Sequence, residues 1–172
     1  MNIGHHNTDE SAFVIAEIGN NHEGDFELAK TLISEAARAG VDAVKFQTIV
    51  PARLVSITDE KRISQLSKFQ FSQAQFTELA THAQNAGVQF LSTPFDIESV
   101  DWLNEFVPAW KIASSDNDFY PLLDRVAATG KPIIVSMGLG RHSEAEELKR
   151  FFDTAWEKHG IAVENRQLAF LH

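Results

Sequence analysis

The feature that most constrains the fold of this chain is a repeated alternation of short apolar runs with amphipathic stretches of helical period. Six runs of strand-forming residues recur, at residues 13–16, 43–47, 88–92, 109–112, 132–136 and 168–172. Five stretches with apolar residues three or four positions apart lie between them, and most begin at a capping residue and end at a glycine. Runs that are apolar on both faces are typical of parallel strands covered by helices. The sequence therefore predicts an α/β fold.

Polar residues follow the apolar part of each of the first five runs, where the strand would reach its carboxyl end. They are Glu17, Lys45, Gln47, Ser92, Thr93, Lys111, Ser114 and Ser136. In a doubly wound sheet such residues gather at one switch point, whereas in a barrel they recur on every strand. We therefore expect a (β/α)8 TIM barrel, of which residues 13–172 supply about the first six strands and five helices, because a complete barrel takes about 250 residues.

Three local features complete this outline. Residues 1–12 are polar and are expected to form a flexible N-terminus. Residues 51–71 are irregular in pattern and are expected to form a long loop that holds a short helix near residues 59–66. Ser143 and Glu146 have the spacing of a capping box and are expected to start the last helix.

Composition excludes several classes of protein. The chain of 172 residues has no cysteine, which rules out disulfides, thiolate metal sites and a cysteine nucleophile. A formal net charge of -9 argues against binding to nucleic acid. No apolar run approaches the roughly 20 residues that a membrane span needs. We expect a cytoplasmic enzyme or binding protein that does not associate with membranes.

Two lysines are the strongest candidates for a binding site. Lys45 and Lys111 close alternate strands, so their ammonium groups are expected to share a pocket with the hydroxyls of Thr93, Ser114 and Ser136. Such a set suits a phosphate or a carboxylate. Each lysine could instead pair with a neighbouring carboxylate, and a desolvated lysine could form a Schiff base with a carbonyl compound. The two nearby carboxylates, Glu17 and Asp116, are candidates for general acid-base catalysis.

Five motifs resemble those of one enzyme family. They are Ile15-Ala16-Glu17-Ile18-Gly19-Asn20-Asn21-His22-Glu23-Gly24, Val44-Lys45-Phe46-Gln47-Thr48, Leu91-Ser92-Thr93-Pro94-Phe95, Trp110-Lys111-Ile112-Ala113-Ser114 and Gly130-Lys131-Pro132-Ile133-Ile134-Val135-Ser136-Met137-Gly138. In this order the motifs resemble the sialic acid synthases, that is the N-acetylneuraminate synthases and their legionaminate, pseudaminate and spore-coat polysaccharide relatives. The resemblance covers nearly all of this chain and about the first half of a family member.

The resemblance implies a reaction and roles for the site residues. Members of this family condense phosphoenolpyruvate with the open-chain aldehyde of an N-acetylated hexose, releasing phosphate and forming a nine-carbon 2-keto sugar acid. It implies that phosphoenolpyruvate is held by five residues, namely Lys45, Thr93, Lys111, Ser114 and Ser136. Gln47 is implied to face the sugar, and Glu17 to orient or deprotonate the water that adds to the developing oxocarbenium carbon. Asp116 stands where many relatives have glutamate.

The resemblance also implies components outside these residues. A divalent metal, manganese or magnesium, is expected to be held by two histidines from strands beyond His172, so no metal ligand is expected in this chain. A C-terminal antifreeze-like domain and a homodimer are expected in the full-length enzyme, and the 172-residue chain alone is expected to lack turnover. Two alternatives remain open at this point: a Schiff-base lysine aldolase on the same barrel, and a non-catalytic fragment that binds anionic sugars.

Overall fold

The computed structural model describes all residues from Met1 to His172. The strands are β1 (Asn2–Ile3), β2 (His6–Asn7), β3 (Ile15–Gly19), β4 (Ala43–Thr48), β5 (Gln89–Pro94), β6 (Trp110–Ile112), β7 (Ile133–Ser136) and β8 (Leu168–Leu171). The helices are α1 (Phe26–Arg38), α2 (Pro51–Leu54), α3 (Glu60–Ser67), α4 (Gln73–Asn85), α5 (Ile97–Leu103), α6 (Tyr120–Ala127) and α7 (His142–Lys158), with one 3-10 turn at Val163–Asn165.

Six parallel strands form the centre of the molecule, as the alternation predicts. They make two three-stranded sheets, with the order β3-β4-β5 in one and β6-β7-β8 in the other. Strand β5 lies beside β6, which places the two sheets next to each other. Strands β3 and β8 remain as edges, so the sheets do not close into a barrel. The parallel α/β architecture is confirmed, and the barrel is not.

Helices pack on one face of these sheets through the larger apolar cluster. Val44 and Phe46 of β4 belong to this cluster together with Ala29 and Ile33 of α1. Side chains alternate along a strand, so residues 43, 45 and 47 point to the face opposite the helices. A second, smaller cluster lies there at the amino-terminal side, and its fully or almost fully buried members are Ile3, Ala43, Leu91, Ala109 and Ile134.

Local capping explains where the helices begin. Asp25 accepts hydrogen bonds from the backbone N–H groups of Glu27 and Leu28, which starts α1. Ser72 forms the expected capping box with Gln75 at α4. The expected box at Ser143 and Glu146 is wrong. Helix α7 starts at His142, because the backbone N–H of Arg141 donates to the Glu144 carboxylate at 2.8 Å and caps the chain two residues earlier.

The N-terminal residues form an antiparallel hairpin where a flexible end was expected. Ile3 is only 2% exposed and packs on the smaller apolar cluster. The side-chain amide of Gln89 donates to the carbonyl oxygen of Ile3 at 2.9 Å, and the backbone N–H of Asn2 donates to Gln167 at 2.5 Å. A single isoleucine in a polar segment is a weak sequence signal, but it covers apolar surface that the strands leave open.

The long loop after β4 is more ordered than its sequence pattern indicates. Its short helix is confirmed as α3, capped by Asp59, and α2 precedes it. Arg53 on α2 forms an ion pair with the buried carboxylate of Asp96 at 2.9 Å. Because Asp96 also caps α5, this pair ties the loop to the carboxyl ends of the strands.

Candidate active site

The candidate site lies at the carboxyl ends of the strands, on the face opposite the helices. Lys45 and Gln47 point to the same side of β4, and the strand register sets them opposite Leu91 and Thr93. Lys111 lies opposite Ile134, two residues before Ser136. Register thus brings the two predicted lysines and two of the predicted hydroxyls to one edge.

Lys45 is buried and has a carboxylate partner. The side chain is 8% exposed, and Nζ lies 2.5 Å from Oε2 of Glu17, whose side chain is half exposed. Nζ also donates to Oγ1 of Thr93 at 3.3 Å. The ion pair considered as an alternative for this lysine is therefore present, and it leaves Glu17 facing solvent.

Lys111 is buried without a carboxylate partner. The residue is 9% exposed, and Nζ donates to the Ser136 hydroxyl at 2.6 Å and to the carbonyl oxygen of Ile112 at 3.0 Å. None of the ion pairs in the chain involves this lysine. Burial and, to a smaller extent, the charge of Lys45 lower the pKa of Lys111 to about 8, while Glu17 acts in the opposite direction. The structure thus holds a desolvated cation whose only partners are neutral.

Gln47 is held by a residue that the sequence analysis did not single out. The side-chain amide of Asn20 donates to Oε1 of Gln47 at 2.9 Å. A shift in register between Glu17 and Gly19, with a φ of +54° at Gly19, turns the end of β3 so that Asn20 reaches β4. The turn-forming run from Gly19 to Asn21 was the only signal of this contact in the sequence.

Ser114 and Asp116 lie on the loop after β6, at the rim of the site. Ser114 is exposed and packs closely against Gly138, which follows β7. Asp116 accepts a hydrogen bond from the Ser115 hydroxyl at 2.7 Å and forms no ion pair with either lysine. Burial raises the pKa of Asp116, the Ser115 hydrogen bond lowers it, and the nearby Asp118 raises it again. Asp116 is therefore not joined to the cluster by direct contact.

Two further residues support this edge and were not predicted. Asn117 donates to the carbonyl oxygen of Ser136 at 3.3 Å and so links the loop after β6 to β7. Gly138 has a φ of +58°, and a Cβ atom there would lie 2.9 Å from Cβ of Ser114. No pattern in the sequence indicated this contact.

The site has no ready-made ligand set for a metal ion. No group of three or more His, Asp or Glu side chains in the structure is arranged to hold one. Cavities of about 460 and 490 Å³ lie between α1 and α4 and beside the N-terminal hairpin, and none of the predicted site residues lines either of them. His22 is buried and stacks on Phe71, and its Nδ1 accepts the N–H of Gly24.

The fold and the site together define an α/β protein with two buried lysines and several hydroxyl groups at the carboxyl edge of its strands. The sequence profile described as the NeuB family matches residues 32–172. The chain belongs to the NeuB family, and the predicted resemblance to the sialic acid synthases is confirmed.

Relatives show what this chain is similar to. It is 44% identical over 80% of its length to an uncharacterized protein of Methanocaldococcus jannaschii, covering 41% of that protein. It is 38% identical over 80% of its length to N,N'-diacetyllegionaminic acid synthase of Campylobacter jejuni, covering 46% of that enzyme. The crystal structure of the sialic acid synthetase of Leptospira borgpetersenii, in complex with citrate, matches with a TM-score of 0.78 and 33% identity over 83% of this chain and 50% of that one.

These relatives are enzymes of sugar-acid biosynthesis where their function is named. The chain spans about half the length of the curated relatives that it matches. None of its helices is both long enough and apolar enough to cross a membrane.

Proposed function

We propose that this chain supplies the phosphoenolpyruvate-binding part of a sialic-acid-type synthase. The observation that carries the proposal is Lys111, a buried ammonium group without a carboxylate partner at an edge that already holds Lys45. A buried charge is costly unless it is paired, so an anionic ligand would complete this arrangement. Relatives of this chain are named as legionaminic acid and pseudaminic acid synthases, and the resemblance to this family supports phosphoenolpyruvate as that anion.

In this proposal the lysines and hydroxyls hold the phosphate and the carboxylate of phosphoenolpyruvate. Lys111 and Ser136 are already joined by a 2.6 Å hydrogen bond, and Lys45 and Thr93 by one of 3.3 Å. Ser114 contributes a third hydroxyl from the rim. Charge-assisted hydrogen bonds of this kind are the strongest that such groups form.

The reaction forms one carbon–carbon bond and releases phosphate. The enol carbon C3 of phosphoenolpyruvate attacks the aldehyde carbon of an open-chain N-acetylated hexose, and positive charge develops at C2. Water adds to C2, and loss of phosphate from the resulting tetrahedral intermediate leaves the 2-keto acid. In this proposal Glu17, which is half exposed beside Lys45, orients that water or takes its proton. Gln47 faces the sugar, and Asp116, whose pKa burial raises, is a second acid-base candidate at the rim.

The divalent metal implied by the family is part of the proposal for the whole protein. The residues of this chain do not fit a metal site by themselves, since no three carboxylates or histidines converge. None of the reaction steps assigned to the residues of this chain depends on the metal. Assembly as a homodimer belongs to the same proposal.

The test uses the protein that carries this chain, incubated with phosphoenolpyruvate and N-acetylated hexoses. We expect equal amounts of inorganic phosphate and 2-keto acid, and we expect Lys111→Met to abolish both. The matched control is Lys131→Met, because Lys131 is half-buried and likewise forms no ion pair, but it donates to the carbonyl oxygen of Val107 at 2.8 Å, at the opposite end of the strands. Binding of phosphoenolpyruvate without any product would favour the non-catalytic sugar-binding alternative, and no binding at all would overturn the proposal.

A Schiff-base aldolase is the second candidate, favoured by one observation. Lys111 lies buried near a second lysine and has a pKa of about 8, so a substantial fraction of its amine is neutral near that pH. Borohydride reduction in the presence of pyruvate discriminates between the two. A covalent adduct on Lys111 supports the aldolase, whereas an unmodified lysine supports the synthase.

A further inference from the structure

We propose that Asn20 is a positioning residue that fixes the side-chain amide of Gln47 with its NH2 group toward the acceptor sugar. The inference rests on the proposed function and concerns the sugar side of the same site. It starts from the 2.9 Å hydrogen bond in which the Asn20 amide donates to Oε1 of Gln47. With Oε1 engaged, the group that Gln47 has left to offer a ligand is a donor.

The first argument for this orientation comes from Asn20 itself. Its Oδ1 atom is buried and has no hydrogen-bond partner. Rotating the Asn20 amide by half a turn would bring Oδ1 to Gln47 and bury the NH2 group, with its two donors, in the same place. An unpaired buried donor is rarer in proteins than an unpaired carbonyl oxygen, which has two lone pairs and is more often left under-satisfied. The observed orientation is the less costly of the two.

The second argument comes from Glu17. A Cβ atom added at Gly19 would lie 3.0 Å from Oε1 of Glu17 and 3.8 Å from Nε2 of Gln47, so both groups border the space above this glycine. An amide NH2 group beside a carboxylate is favourable, whereas a carbonyl oxygen there would be repelled. Both neighbours of Gln47 therefore favour the same orientation.

The consequence is a donor of fixed direction next to the carboxylate of Glu17. A substrate that fits must offer a hydrogen-bond acceptor, such as the carbonyl oxygen of an N-acyl group or a hydroxyl oxygen. Asn20 would thus influence the choice of acceptor without touching phosphoenolpyruvate.

The substitution that tests this is Asn20→Asp, which keeps the size of the side chain but removes the donor. A carboxylate at this position accepts from the Gln47 NH2 group and turns Oε1 toward the substrate. We expect the KM for the N-acetylated hexose to rise about tenfold or more, which corresponds to about one lost hydrogen bond, and the KM for phosphoenolpyruvate to stay within about twofold. Asn20→Ala, which frees the amide without reversing it, should give a smaller rise.

The control is Asn21→Asp, which introduces the same charge at the exposed neighbouring residue. We expect it to change neither KM. Equal rises in both KM values for Asn20→Asp, or none, would overturn the inference, since a general structural defect would not separate the two substrates.

A second readout is independent of turnover and keeps the inference distinct from the proposed function. In the 172-residue chain, the side-chain NH2 resonances of Gln47 can be assigned by their loss in Gln47→Glu. We expect Asn20→Asp to slow the hydrogen exchange of one of these protons, because it becomes bonded to a carboxylate, and Asn21→Asp to leave it unchanged. Unchanged exchange in Asn20→Asp overturns the positioning role even if the synthase reaction is observed. Absence of turnover with changed exchange would instead overturn the proposed function.

Discussion

At Lys111 a single substitution can distinguish the contribution of the charge from that of side-chain packing. Exchange for methionine keeps the length of the side chain and removes the buried ammonium group. Replacing a buried charge by an apolar side chain of similar volume is often neutral or stabilising. We therefore expect Lys111→Met to melt no lower than the unmodified chain.

The same substitution should nevertheless abolish most anion binding. A hydrogen bond to a charged group contributes about 1.5–3 kcal/mol, so the affinity for phosphoenolpyruvate should fall roughly 10- to 150-fold. Isothermal titration of the 172-residue chain measures this, with Lys131→Met as the control that keeps the affinity. Loss of affinity in both variants would show that Lys111 acts only through the fold.

The pKa of Lys111 makes anion binding depend on pH. In the free protein its pKa is about 8, so the ammonium group loses its proton as the pH rises through that value. We expect phosphate affinity to decrease between about pH 8 and 9.5, a range in which inorganic phosphate itself is mainly a dianion. A set of phosphate titrations across this range measures the effect, and Lys111→Met should remove the inflection.

The folding equilibrium should show the opposite trend with pH. Lys111 has a pKa of about 8 when folded and its usual value near 10.5 when unfolded, so between these values the unfolded chain binds more protons. The contribution of Lys111 to the free energy of unfolding therefore rises with pH in this window. Urea titrations that compare the unmodified chain with Lys111→Met isolate this contribution, and parallel curves would contradict it.

At the level of secondary-structure elements, the loop after β6 contacts the loop after β7 where Ser114 packs against Gly138. An alanine at residue 138 would suffer the left-handed backbone conformation and would also place its Cβ 2.9 Å from Cβ of Ser114. Gly160 has a similar φ of +67°, but nothing lies within 4 Å of its would-be Cβ. Each alanine should cost about 1–2 kcal/mol of stability from the backbone alone.

Only Gly138→Ala is expected to weaken phosphate binding, because only there does the new methyl group displace a hydroxyl of the site. We expect a loss of roughly fivefold to tenfold, about the value of one hydrogen bond. A titration with inorganic phosphate compares the two variants. If the loss comes through Ser114, Gly138→Ala should cause no further loss in a protein that already carries Ser114→Gly; an additive loss would contradict this explanation.

At the scale of the whole molecule, the N-terminal hairpin covers the amino-terminal side of the sheets through Ile3. Truncation of a buried aliphatic side chain costs about 2–5 kcal/mol, so Ile3→Ala should lower the free energy of unfolding by that order. Ile57 is 78% exposed, and Ile57→Ala should change stability by no more than about 0.5 kcal/mol. Chemical denaturation of the two variants checks this. Equal stability would contradict the packing of Ile3 and support the flexible N-terminus that the sequence predicts.

The sequence by itself determined the elements and the chemistry of the edge. Apolar periodicity predicted all six parallel strands, and local capping placed α1 and α4, because both depend on residues a few positions apart. The same pattern predicted that Lys45 and Lys111 would end alternate strands and share one pocket. The motifs around them identified the family.

Only the tertiary structure decided which groups meet. Lys45 bonds to Thr93, 48 positions away, and Gln89 holds Ile3 across 86 positions. Such pairings depend on register and on apolar surface left open by the strands, which leave no local pattern. They also depend on the turn at Gly19, where the local sequence indicates a turn but not the partner of Asn20. For that reason only the folded chain decided that Lys45 has an ion-pair partner and Lys111 has none. The Asn20–Gln47 contact and the ordered N-terminus likewise became visible only in the structure.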